Sequence, residues 1–367
     1  MIPVYSPLIE PYTGSAHDAL NSGWISSQGP YVQKTVEKMK SLMGVKHVIL
    51  TNSGTSATHM LMLSIRLKYP QVDTIYVPNH VFVAPWNAAL YEFPKSAIRV
   101  MDIDKDTLNI RVDEEYIAGL QTNSAVLIVH NVGNVVNVPR LKRIRPDLVF
   151  VEDNCEGFLG TYEGHMSGTA SLCSAVSFFA NKNITCGEGG AYFTNDDELA
   201  VFVQKSCQHG MTSERYVHDV LGYNVNMTNI QAALLYDQLM DIRTICAMKS
   251  RVFYHYETKL REAGIDFRLP VREPETVSSN WMFTIQLPNR PEFKVLQSQM
   301  KNEGIDIRPF FYDIRVHRHL EDIPVPPGAT FSETVVMLPS SPTLTGDEIK
   351  RVVEGLRKAL EYIQCSQ

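Results

Sequence analysis

The sequence predicts an α/β protein, with a mainly parallel sheet covered by helices on both faces and a smaller α+β unit after it. Three observations predict this. Short apolar, β-branched runs alternate with helical patterns over the first two-thirds of the 367 residues. A long stretch without Gly or Pro, 229–263, then breaks the alternation, and Gly264 ends it. Beyond it, strand-like and helix-like pieces follow on a smaller scale.

In chain order, strands are expected at 45–50, 74–77, 98–103, 125–130, 148–151 and 175–179. Each ends near Asn, Asp, Pro or Gly, residues that favour turns. Helical patterns lie between several of them, at 56–68 and 113–120. The stretch 229–263 reads as one long helix, with room for a break, that can leave one domain and enter the next. After it come a turn-rich segment at 268–279, a strand at 281–287, a helix at 291–302 and a strand at 305–310. A Pro-rich loop at 324–328 and a final helix at 346–363 complete the chain. At roughly 100–200 residues per domain the length suits two domains, placed at 1–240 and 241–367.

Composition excludes several classes. There are 34 basic and 40 acidic residues, a formal net charge of −6, so no basic surplus is available for a nucleic acid backbone. No run approaches the roughly 18 apolar residues of a membrane helix. Met1-Ile2-Pro3-Val4-Tyr5 lacks the basic and apolar regions of a secretion signal. The six cysteines are scattered, none at metal-knuckle spacing, so reduced thiols, a cytoplasmic location and no metal are expected. Asn183-Ile184-Thr185 and Asn226-Met227-Thr228 match the glycosylation sequon and read as chance matches.

Four segments carry chemistry. Thr51-Asn52-Ser53-Gly54-Thr55-Ser56 follows an expected strand and opens a helix, whose free N–H groups and dipole suit an anion. Ser and Thr are equally ordinary helix caps there. In Val149-Phe150-Val151-Glu152-Asp153-Asn154-Cys155-Glu156 an apolar strand delivers carboxylates at its C-terminal end, the ligand edge of a parallel sheet. In Ser177-Phe178-Phe179-Ala180-Asn181-Lys182, Lys182 sits beside apolar residues, with glycines at 187, 189 and 190. A desolvated Lys amine is a nucleophile; the alternative is a solvated Lys on a surface turn. Gly222-Tyr223-Asn224-Val225-Asn226-Met227-Thr228 precedes the long helix, and its amides could simply cap it.

Taken in order, these segments resemble the DegT/DnrJ/EryC1/StrS family of sugar-nucleotide aminotransferases, closest in pattern to the perosamine and viosamine synthases. The resemblance begins at Gly23-Trp24-Ile25-Ser26-Ser27-Gln28-Gly29-Pro30. It runs to Gly304-Ile305-Asp306-Ile307-Arg308-Pro309-Phe310-Phe311-Tyr312 and Leu338-Pro339-Ser340-Ser341-Pro342. It implies the aspartate-aminotransferase fold (pyridoxal phosphate fold type I), with a mixed, mainly parallel seven-stranded sheet in the large domain. It also implies pyridoxal 5'-phosphate as cofactor, with pyridoxamine 5'-phosphate as intermediate. L-glutamate would be the donor, leaving as 2-oxoglutarate. A nucleotide-diphosphate 4-keto-6-deoxyhexose would be the acceptor, aminated at C4.

The resemblance assigns roles residue by residue. Lys182 would form the Schiff base and shuttle the proton. Asp153 would hold the ring nitrogen protonated. Gly54, Thr55, Ser56 and Ser177 would bind the phosphate. Phe82 would stack on the ring, and Glu156 would face the ring hydroxyl. Asn226, with Asn224 as a second candidate, would reach the neighbouring chain's phosphate in a homodimer with shared active sites. Ser26, Ser27, Arg308 and Tyr312 fall in segments that shape the sugar-nucleotide pocket; for Arg308 a surface ion pair is the competing role. Lys182 stands where dehydratases of the family carry His, which favours amination. The other readings are a 3-keto-sugar aminotransferase, a sugar dehydratase, or a sugar-nucleotide binding protein without turnover.

Overall fold

The structure is a computed structural model that describes residues 1–288, 291–327 and 334–365. Gly328, the end of the Pro-rich loop, lies outside the described residues. Helices α1 (Gly14–Ser22) and α2 (Pro30–Met43) precede the first strand. Then come β1 (His47–Thr51), α3 (Gly54–Lys68), β2 (Thr74–Pro78), α4 (Val83–Glu92), β3 (Ile98–Met101) and α5 (Glu114–Ala118). They are followed by β4 (Ser124–Val129), α6 (Val138–Ile144) and β5 (Val149–Asp153). A ribbon of β6 (Thr161–Tyr162) and β7 (His165–Met166) separates β5 from β8 (Cys173–Ser177) and β9 (Gly190–Thr194). Helices α7 (Asp197–Cys207), α8 (Asn229–Met240) and α9 (Ile242–Glu262) lead to β10 (Thr276–Val277) and β11 (Thr284–Leu287). The chain ends with α10 (Phe293–Asn302), β12 (Arg308–Pro309), β13 (Thr334–Met337) and α11 (Gly346–Cys365).

The large sheet has seven strands in the order β1-β9-β8-β5-β4-β2-β3. Strands β3, β2, β4, β5 and β8 are parallel, and β9 runs antiparallel between β8 and β1. It is the mixed, mainly parallel sheet expected. Every residue of β2, β4, β5, β8 and β9 is buried, as a sheet covered on both faces requires. Alternate side chains take opposite faces. Ala125, Leu127 and Val129 of β4 pack toward α3 and α4, while Val126 and Ile128 join α5 and α6. At the other end, Val48, Leu50, Val176, Ala191 and Phe193 pack against α2 and α8.

The sequence reading missed β9 because it starts inside the glycine run taken as a turn: Gly190 pairs with both Thr51 and Ser177. It also missed β13, which pairs antiparallel with β11 and β12 in a three-stranded sheet. The strand expected at 305–310 shrinks to the two residues of β12. The long helix is broken at Asp241, where φ −112° and ψ 24° leave the helical region. Helix α9 starts with Ile245 in the core under α2 and α8. It ends with Val252, Tyr256 and Leu260 packed on Phe283, Ile285 and Val336 of the small sheet. No described helix is long and apolar enough to cross a membrane, and the described residues hold no His/Cys/Asp/Glu metal cluster.

Candidate active site

The C-terminal ends of β1, β5 and β8 meet. Past β1, the Ser53 hydroxyl caps α3 by accepting from the Ser56 N–H at 3.1 Å, and Ser56 Oγ donates to Asn52 Oδ1 at 2.7 Å. Gly54 opens α3 in a tight place: a Cβ there would lie 2.6 Å from Ser177 Cβ and 3.1 Å from Cys155 Sγ. That close approach puts Ser177, the last residue of β8, against the helix start. The start of α3, with its first-turn N–H groups, and Ser177 therefore lie side by side, an arrangement suited to an anion.

Asp153 ends β5 and is buried. Its carboxylate accepts from Thr58 Oγ1 at 3.1 Å and from the Cys155 N–H at 3.0 Å. Among the described residues it has no cationic partner within the 4.0 Å of an ion pair. A buried carboxylate held by two neutral donors can still take a charged N–H from a ligand. Glu156, three residues on, is also buried; it accepts from the Val132 N–H at 2.8 Å, and Lys182 Nζ lies 4.0 Å away. Burial pushes its carboxyl up to about 7, against the pull of Lys182 and the Val132 N–H. Val132 makes that bond from a left-handed backbone, φ 53° and ψ 18°, a strained conformation for a β-branched residue.

Lys182 lies on the loop between β8 and β9. Asn183 Nδ2 donates to the Ser279 carbonyl at 2.8 Å, and Thr185 Oγ1 to the Phe178 carbonyl at 2.8 Å, which fixes the loop. Lys182 Nζ stands 4.2 Å from the ring centroid of Trp281, a cation–π distance. The Trp281 indole N–H donates to the Asn181 carbonyl at 2.8 Å, and Tyr5 Oη to the Lys182 carbonyl at 2.9 Å. Tyr5, Thr58, Val132 and Trp281 were not among the sequence candidates. Thr58 could have been found, being one turn beyond Gly54; Tyr5 and Trp281 are far away in sequence and leave no local signal.

The remaining candidates form a rim. Phe82 is exposed at the start of α4, its ring centroid 6.3 Å from that of Phe311. Tyr312 is carried to the same edge because segment 311–314 is bound to the loop after β2. There Asn79 Oδ1 accepts from the Ile314 N–H at 2.9 Å, and His80 Nδ1 bonds the Phe311 carbonyl at 3.0 Å. The Ser26 carbonyl accepts from the Asn229 N–H at 2.6 Å, which ties the 26–27 turn to the start of α8. Segment 224–226 runs beside the end of β1: Val225 accepts from the Asn52 N–H at 2.7 Å, and Asn226 bridges Thr51. Asn226 Nδ2 donates to the Cys207 carbonyl of its own chain at 3.0 Å, whereas Asn224 is exposed. Arg308 is engaged in an exposed ion pair with Asp306 at 3.0 Å, and among the described residues no side-chain hydrogen bond or ion pair ties it to those around Lys182.

A helix-capped cup, a buried carboxylate without a counter-cation and a Lys amine match a phosphate ester, a protonated ring nitrogen and an aldehyde. That donor set fits pyridoxal phosphate.

Known proteins resemble this chain along nearly its whole length. A GDP-perosamine synthase of Vibrio cholerae is 29% identical over 378 residues, covering 100% of both chains. Another, from Caulobacter vibrioides, is 30% identical over 355 residues, covering 94% of each. The solved structure of Helicobacter pylori PseC, an aminotransferase involved in the biosynthesis of pseudoaminic acid, has the same fold. Its TM-score is 0.88 at 23% identity, over 98% of this chain and 99% of that one. The model of the DegT/DnrJ/EryC1/StrS aminotransferase family matches residues 10–357, and the chain belongs to that family.

Proposed function

We propose that the chain moves the amino group of L-glutamate to C4 of a nucleotide-linked 4-keto-6-deoxyhexose, with pyridoxal phosphate as cofactor. The product is an NDP-4-amino-4,6-dideoxyhexose of the perosamine or viosamine type. The observation that carries the reading is the placement of Lys182, its amine between the Trp281 ring and the Glu156 carboxylate. A protein that only bound sugar nucleotides would need no such amine. The end-to-end match to two GDP-perosamine synthases supports C4 as the aminated carbon.

When bound, pyridoxal phosphate supplies an electrophilic aldehyde and a ring that withdraws electrons. The residues of the chain do the rest. The start of α3 and Ser177 hold the phosphate. Asp153 keeps a proton on the ring nitrogen. Lys182 Nζ takes and returns the proton at the carbon that gains or loses the amine, a general acid–base role. Phe82 would cover the ring, and Glu156 would face its hydroxyl. Glutamate would leave as 2-oxoglutarate with its amino group kept by the bound cofactor until the sugar takes it, and Ser26, Ser27, Tyr312 and Arg308 would contact the sugar nucleotide.

The working unit in this proposal is a homodimer in which the 224–226 segment completes the neighbour's phosphate site. Exposed Asn224 is the better placed of the two asparagines, because Asn226 is engaged within its own chain. Exposed Trp24, Ile25, Tyr216 and Leu221 supply apolar surface for the contact.

Incubation with glutamate and a panel of GDP-, UDP- and dTDP-linked 4-keto-6-deoxyhexoses tests the reaction. Mass and sugar configuration should identify a 4-amino product. Amination of a 3-keto sugar instead, or loss of water without amination, would replace this reading.

A further inference from the structure

Lys249 lies on α9, away from the cofactor cup, and is buried to 1% exposure. Its ammonium finds two carbonyls: Nζ donates to Trp281 O at 2.7 Å and to Ser340 O at 2.5 Å. Burying an amine this way is expensive, and an apolar side chain of the same length would fill the space at lower cost. Burial alone pushes the amine down to about 7. What the amine touches is informative. Trp281 receives the Lys249 bond on its carbonyl, donates its indole N–H to Asn181 O at 2.8 Å, and presents its ring to Lys182 Nζ at 4.2 Å. The Tyr5 ring lies 5.0 Å from Lys249 Nζ, and its hydroxyl donates to Lys182 O at 2.9 Å. Two consecutive carbonyls of the loop that presents Lys182 are thus held by two aromatic side chains, and both residues rest on Lys249.

We infer that Lys249 is a positioning residue for Lys182, acting through Tyr5 and Trp281. It fixes the Trp281 backbone so that the indole lies over the Lys182 amine, and it backs the ring of Tyr5. The Ser340 bond anchors the arrangement to the segment following β13. The inference rests on the proposed role of Lys182, but its methylation test does not.

The test measures how fast Lys182 is reductively methylated in the full chain without cofactor, by peptide mass spectrometry, with exposed Lys350 as internal reference. Lys249→Met and Trp281→Leu should each raise the Lys182 rate about threefold, the effect of losing an ordinary cation–π contact. The double variant should show no more than the larger single effect, since both changes act on one path. With cofactor and glutamate, Lys249→Met should lower kcat about tenfold with KM little changed, as expected for a misplaced reacting group. A Lys249→Met chain that melts earlier but methylates Lys182 at the wild-type rate would show a purely structural role and overturn the inference. Effects that multiply in the double variant would overturn it too. If Lys249→Met does not fold, Tyr5→Phe and Trp281→Leu each break one link and leave Lys249 in place; unchanged Lys182 rates in both would sink the proposal. A chain that takes up no pyridoxal phosphate fails the functional reading and leaves the methylation comparison intact.

Discussion

The cup and the rim of the candidate site are built on different terms. In the cup, Asp153, Glu156 and Ser177 are buried and accept bonds from Thr58, Cys155, Val132 and Phe179. On the rim, Phe82, Tyr312, Trp24 and Ile25 are exposed, and Arg308 spends its charge on Asp306. In the proposed function the buried groups do the chemistry, and the exposed rim meets the sugar nucleotide and a second chain, whose 224–226 segment completes the phosphate site. Damage to the cup should act on kcat and on cofactor chemistry; damage to the rim should act on KM and assembly.

The strongest test of that division is Lys182→Ala. Loss of the proton shuttle should cost about a thousandfold or more in kcat, at the upper end of acid–base effects. Borohydride, which should fix the cofactor to the Lys182 peptide in the wild type, should fix none in the variant. A covalent link mapped to another lysine would move the chemistry out of this cup.

Asp153→Asn comes next. The amide is nearly isosteric: its oxygen can keep the Cys155 N–H bond, and its NH2 can donate to Thr58 Oγ1, whose own hydrogen then goes to the Gly54 carbonyl at 3.0 Å, but it cannot balance a protonated ring nitrogen. A loss of about a hundredfold in the glutamate half-reaction is expected, comparable to removing one preorganised electrostatic contact. Near-normal rates would assign that role to another group.

Glu156 sharpens the comparison through pH. Its folded carboxyl is raised by burial to about 7 from its ordinary value of 4.5. The folded chain therefore binds more protons than the unfolded chain between these values. Stability from this group is full below about 4.5 and is lost as pH rises through about 7. The ionised form costs about 3 kcal/mol at pH 8. Glu156→Gln never ionises, so the cofactor-free variant should gain stability relative to the wild type from pH 4.5 to pH 8. Denaturant midpoints at the two pH values measure this; a difference that does not change with pH would show that Glu156 is not desolvated as described.

What the sequence revealed follows the same division. Asp153 stands out because it follows an apolar run at the C-terminal end of an expected strand, and Gly54 because it lies between an expected strand and a helix; these are local patterns, whereas Ser177 is assigned by the resemblance alone. The large sheet was readable for the same reason, except β9, whose first residue is hidden among glycines; in the small sheet β13 was missed, a four-residue strand whose partners β11 and β12 lie elsewhere in the sequence. Tyr5 and Trp281 were not readable at all. Their bonds to Lys182 and Asn181 span 177 and 100 residues, and only the folded chain brings them together. The break at Asp241 involves neither Gly nor Pro, so composition does not announce it.

Asn224 tests whether the rim of one chain completes the cup of another. Loss of one bond to a charged phosphate should weaken cofactor affinity about tenfold in Asn224→Ala. In hybrid dimers with Lys182→Ala, one site keeps both residues if the asparagine crosses between chains. Titrating cofactor into hybrids should then reveal a class of sites that reacts with glutamate at wild-type affinity. If the asparagine serves its own chain, every reactive site in the hybrid carries the Asn224 lesion and none binds at wild-type affinity.

The smallest effect belongs to Arg308. Its pair with Asp306 at 3.0 Å is exposed, and exposed pairs contribute about 0–1 kcal/mol, so Arg308→Ala should barely move the melting temperature. The guanidinium is one rotamer change from the solvent in which a diphosphate would arrive, and breaking a weak exposed pair costs little. If it turns to the substrate, Arg308→Ala should raise KM for the nucleotide sugar several-fold and leave the glutamate half-reaction untouched, because glutamate carries no diphosphate. If KM for both substrates stays at wild type, Arg308 is a surface ion pair and the rim loses a member. If the glutamate half-reaction falls as well, the separation of cup from rim is wrong at this position, since a residue with no bond to the Lys182 loop would then be acting on its chemistry.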